Sequence, residues 1–89
     1  MSDVGANANT VLKRVDEINR LAASLNDRKD VARLYRDATT LWMQVSEARI
    51  QVDAASRETV REALLAAERA SAERFGRDAW ARASLPQDE

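Results

Sequence analysis

Asn26-Asp27-Arg28-Lys29-Asp30 sets five polar residues between two apolar stripes, and the reading of the fold turns on it. A break of this length joins antiparallel helices. Asp30, or Asp27 before it, can cap the following helix by accepting hydrogen bonds from its free backbone N–H groups. Upstream, Val4, Ala8, Val11, Val15, Ile18, Ala22 and Leu25 recur at alternating intervals of four and three, the spacing of one helix face. Leu12 and Leu21 widen that face, and Asp16 with Arg20 forms an i,i+4 pair on its wet side. Downstream, Val31, Leu34, Ala38, Leu41, Val45, Ala48, Val52 and Ala55 keep the same alternation, with Tyr35 and Trp42 beside the stripe. The expectation is an all-α chain folded as an antiparallel helical hairpin: a helix over about 8–25, a turn at 26–30 and a second helix from about 31.

The far end of that second helix has two readings. Gly5, Gly76 and Pro86 are the only glycines and proline, so residues 6–75 lack the usual helix breakers. That favours one long helix to about Phe75, on the order of 65–70 Å at 1.5 Å per residue. The other reading breaks it near 53–57, where Asp53 or Ser56 can cap and Thr59-Val60-Arg61-Glu62 matches a capping box. Gly76 is placed as the C-terminal cap, because glycine enters left-handed backbone cheaply. A short helix over about 78–83 and an acidic tail over 84–89 complete a single helical domain.

Composition narrows the chemistry. Of 40 apolar residues in the 89, 17 are alanine, leaving 23 larger side chains to drive burial. Each is worth roughly 1.5–3 kcal/mol when buried, against about 1–2 kcal/mol of backbone ordering per residue. So thin a core predicts completion by oligomerisation. Without cysteine or histidine the chain has no thiol nucleophile, imidazole base or Cys/His zinc site. No apolar run approaches the ~20 residues of a membrane span, and the first residues lack a signal-peptide pattern. The expectation is a cytoplasmic protein. A net charge of −1 argues against a broad nucleic-acid footprint.

On the expected second helix, Met43 and Ile50 point away from the hairpin seam. Either the C-terminal segment folds over them, giving a three-helix bundle, or they meet another chain. The second reading is preferred, and makes Tyr35, Trp42, Met43 and Ile50 the partner interface, since aromatic residues anchor interfaces and methionine adapts to them. Phe75 and Trp80 form a possible second interface. Arg74, Arg77 and Arg82 interleave with those two rings, a pattern that also suits single-stranded nucleic acid. The alanines between Ala63 and Ala72 read as a face for close helix packing.

Leu12-Lys13-Arg14-Val15-Asp16-Glu17-Ile18-Asn19-Arg20-Leu21 resembles the opening helix of the small all-α chorismate mutases over ten residues. That resemblance would imply a dimeric enzyme binding a dicarboxylate through further arginines and a lysine on the next helix. Here no lysine follows Lys29, and Arg33, Arg36 and Arg49 show no pocket pattern. The expectation is therefore a non-catalytic interaction protein (an adaptor, chaperone-like protein, assembly subunit or inhibitor). It has no catalytic residue, cofactor, metal or small-molecule substrate, and works with a protein partner or as a homodimer. A nucleic-acid-binding regulator using residues 74–82 is the alternative.

Overall fold

The computed structural model describes residues 4–84, with side chains from Ala8 onward. All of its regular structure is helical: α1 (Val4–Ala23), α2 (Arg28–Ser46), α3 (Ala54–Phe75) and α4 (Arg77–Ala83). The side chain of Val4 and the tail from residue 85 lie outside the described residues.

The first connection is built by carboxylates. Asp27 takes an extended conformation and its side chain accepts from the backbone N–H of Asp30 at 3.0 Å, while Asp30 accepts from that of Asn26 at 2.8 Å. Two of the unpaired amides at this turn are thereby satisfied. The turn is shorter than the expected 26–30, because α2 already begins at Arg28. From there Val31, Leu34, Ala38, Leu41 and Val45 are buried in register, facing Val11, Val15, Ile18 and Leu25.

The second connection corrects the expectation of one helix from about 31 to 75. Helix α2 stops at Ser46, ahead of the suspected 53–57 break. Ala48 lies in left-handed backbone at φ 61°. Around it, the N–H of Arg49 reaches the carbonyl of Gln44 at 2.9 Å and that of Ala48 reaches Val45 at 3.2 Å. This is the Schellman pattern, in which the position Ala48 occupies usually holds glycine. Asp53 then caps α3, accepting from the Ser56 N–H at 3.0 Å. The chain leaves and re-enters helix without a glycine or proline; the second reading, with Asp53 as the cap, is the one the structure follows, although α2 ends several residues earlier than that reading placed the break.

Helix α3 buries a face of small residues, Ser56, Val60, Ala63, Ala67 and Ser71, and the Ser71 hydroxyl donates to the Ala67 carbonyl at 3.0 Å. Small side chains let backbones approach, and α3 packs broadly on both α1 and α2. The alanine run is thus partly a packing face: Ala63 and Ala67 are buried, Ala70 and Ala72 half-buried, Ala66 exposed. The last turn of α3 lies beside the end of α1, where Arg74 donates from Nη1 to the Leu25 carbonyl at 2.7 Å and from Nη2 to that of Ala23 at 3.5 Å. Helices α1 and α3 therefore run parallel and pack directly on each other, with α2 antiparallel to α1. Gly76, at φ 92° and ψ 163°, turns the chain into α4, in backbone space essentially restricted to glycine.

Burial dominates the energetics. Leu34 and Leu41 are fully buried, each worth roughly 1.5–3 kcal/mol. The ion pairs Asp16–Arg20, Glu47–Arg49 and Glu58–Arg61 are all exposed and worth about 0–1 kcal/mol each.

Candidate functional site: an aromatic-ended groove along α3

Helix α3 has a second face that the core does not use. At 100° per residue, Ala54, Arg57, Glu58, Arg61, Leu65, Glu68, Arg69 and Ala72 fall within about 60° of one line. That line runs along the side of α3 away from its buried residues, for roughly 27 Å. Two clefts open along it. One, of about 380 Å³, is lined by Trp42, Ala54, Arg57, Glu58 and Arg61. The other, of about 390 Å³, is lined by Leu65, Glu68, Arg69, Ala72, Arg77 and Trp80. A half-buried tryptophan thus stands at each end of one helix face, and Leu65, 43% exposed, lies between them.

Both tryptophans are held from behind. Trp42 packs on the core from α2. Trp80 reaches back from α4 to Tyr35, edge to face, with ring centroids 4.9 Å apart and planes at 73°. Tyr35 lies seven residues before Trp42 on α2, so the ring that supports Trp80 and the ring of Trp42 sit along one edge of that helix. Rings fixed by packing lose little rotamer freedom when a partner covers them.

The expected site residues divide. Tyr35 and Trp42 share an edge of α2. Met43 is 53% exposed and about a quarter-turn further round, pointing away from the core. Ile50 is not on that helix face: it lies in the connection after α2, half-buried against the core, its N–H on the Gln44 carbonyl at 3.1 Å. The break after Ser46 therefore dissolves the expected Met43–Ile50 surface. Phe75 packs against the core, and the ring partner of Trp80 is Tyr35.

The arginine set also divides. Arg74 is engaged with the carbonyls ending α1, Arg77 lines the groove, and Arg82 lines a different cleft of about 260 Å³ with Arg28, Lys29 and the apolar Val31, Ala32 and Ala79. On α2 and just after it, Arg33 and Arg36 are exposed and Arg49 pairs with Glu47 at 3.2 Å. The Leu65–Trp80 cleft was missed from sequence. Leu65 falls outside the apolar stripe, and the Tyr35–Trp80 contact spans two connections.

Among the described residues, no group of three His, Cys, Asp or Glu side chains is arranged to hold a metal ion, and no helix is long and apolar enough to cross a membrane. The Asp53 carboxyl is held below its ordinary value by hydrogen bonds from Ser56 at the start of α3, a structural role. No family model, curated protein or solved structure matches the chain.

Proposed function

We propose that this chain is a small, non-catalytic protein-interaction module that receives an amphipathic helix of a partner protein in the groove along α3. The observation that carries this reading is the pair of half-buried tryptophans, Trp42 and Trp80, at opposite ends of one helix face with exposed Leu65 between them. A helix docking in a groove needs spaced apolar anchors along one line, and tryptophan is the residue type that most often dominates such contacts. The groove carries Arg57, Arg61, Arg69 and Arg77 against Glu58 and Glu68. Arg61 and Glu58 pair with each other at 3.4 Å, leaving a basic excess that suits a partner helix with acidic residues flanking its apolar positions.

The alternative of an oligonucleotide surface on residues 74–82 draws less support. It needs Arg74, Arg77 and Arg82 together, whereas Arg74 is engaged elsewhere and the other two line different clefts.

Leu65→Glu tests the groove, placing a carboxylate at its centre without touching the buried face. Partner capture from lysate is expected to fall at least tenfold, with helicity by circular dichroism unchanged. Capture that survives Leu65→Glu but is lost with Met43→Asp would move the site to the outer face of α2.

A further inference from the structure

We propose that residues 47–53 form a hinge through which two copies of this chain exchange their α3–α4 units, producing a swapped dimer in which α2 and α3 join as one helix. The inference is independent of the groove reading, since it uses the core-facing sides of the helices.

Three observations converge on the hinge. First, the apolar stripe of α2 continues in unbroken register through the connection, at Ala48, Val52 and Ala55. In the closed fold those positions do not serve a helix seam: Ala48 and Ala55 are exposed, and Val52 is half-buried. Second, the turn that ends α2 holds a non-glycine residue, Ala48, in left-handed backbone at φ 61°, a conformation that L side chains resist. Third, the larger share of the packing runs across the hinge, and α4 shares in it through the Trp80–Tyr35 ring contact. Helices α1 and α2 pack on each other, α3 and α4 pack on each other, and α3 crosses between the halves through its broad contacts with α1 and α2.

An opened chain exposes those crossing faces, and a second opened copy covers them with the same residues in the same contacts. A second copy is therefore the occupant that the faces already fit. In the open form Ala48 leaves the left-handed region, the backbone of 47–53 gains helical hydrogen bonds, and the stripe runs from Val31 through Ala55. The two long helices then cross at the symmetry axis, where Ala48, Val52 and Ala55 of both copies meet and their small side chains allow close approach. The exchange closes on itself as a two-fold pair, so it ends at a dimer. Opposing it are the Asp53 cap and the packing of Ile50 and Val52 on the core, both present only in the closed form.

The test is light scattering on size-exclusion fractions, after refolding across a concentration series, for the wild type and two hinge variants. Ala48→Gly relieves the turn and weakens the long helix, so it should raise the dimer dissociation constant by about a hundredfold. Asp53→Ala removes a cap that exists only in the closed form and should lower that constant severalfold. Geometry separates a swapped dimer from a surface dimer. The chain has no cysteine, so Arg36→Cys and Arg69→Cys can carry one spin label each, diluted with unlabelled protein so that only distances within a chain are read. Arg69 shares a cleft with Trp80, whose ring sits on Tyr35 next to Arg36, so the closed chain gives a short distance. A continuous helix gives roughly 50 Å at 1.5 Å per residue. A dimer population at the long distance, reduced by Ala48→Gly, supports the exchange. A dimer showing only the short distance overturns it, as does a monomeric Asp53→Ala variant at every concentration with its helicity intact.

Discussion

The two main connections solve the same problem with different chemistry. Between α1 and α2 the chain uses carboxylates: Asp27 and Asp30 accept from backbone amides, and the polar run announces itself in the sequence. Between α2 and α3 it uses backbone geometry at the first step, with Ala48 holding a left-handed conformation, and a carboxylate cap at Asp53 only afterwards. The first break is favoured locally. The second has local support only at its far end, from Asp53; at its near end Ala48 is a good helix former, and the turn there goes with the return of α3 onto α1 and α2. A connection held mainly by tertiary contacts is the one that a mutation or a second chain can most readily undo.

Substitutions at the caps sharpen this contrast. The largest effect belongs to Gly76, which sets a third connection by backbone alone. Gly76→Ala meets no atom within 4 Å, so steric clash is not the issue, but φ 92° is strained for alanine. It should destabilise by about 1–3 kcal/mol, read as a lowered urea midpoint, and an unchanged midpoint would mean α4 contributes nothing to the fold. Next come Asp27→Ala and Ala48→Gly, which should move in opposite directions. Loss of the Asp27 cap costs about 1 kcal/mol, whereas glycine at position 48 should stabilise the monomer by roughly that much. Thermal midpoints shifting the same way in both variants would break the comparison.

The smallest effect is acid dependence at Asp53. Its carboxyl is lowered in the fold from 3.8, first by the Ser56 side chain and then by the Ser56 backbone N–H. A depressed carboxyl stabilises the fold above its unfolded value, and that contribution is lost as pH falls through the lower folded value. The advantage of wild type over Asp53→Asn should accordingly be full at about pH 5 and shrink below about pH 4. Parallel profiles would remove Asp53 as the titrating cap.

What was legible in the sequence was what local periodicity controls. The helical class, the α2 stripe from Val31 to Val45, the α1 stripe from Val11 to Ile18 and the glycine at 76 all follow from spacing and residue type. The end of α2 did not, because Ala48 is a good helix former placed where tertiary packing overrides propensity. That single miss displaced Ile50 from the helix, one of the four residues of the expected interface. The buried face of α3 was only partly visible, since Ser56 and Ser71 are polar residues buried by virtue of size and local hydrogen bonds rather than hydrophobicity. Trp42 and Trp80 were each picked out as anchors, but their shared relation to α3 depends on how three helices and α4 assemble. Arg74 reaches the Leu25 carbonyl, just past the end of α1, across 49 residues, and no local pattern records such a contact.

The edge-to-face contact between Tyr35 and Trp80 makes the protein its own optical gauge. Tyr35 is the single tyrosine in the chain, and at a centroid separation of 4.9 Å its excitation drains into the indole ring, so the docked molecule emits as tryptophan alone. In a Trp42→Phe background, which removes the second indole roughly 10 Å along α2, tyrosine emission emerging under mild denaturant while circular dichroism still reports intact helices would time the undocking of α4 ahead of global unfolding.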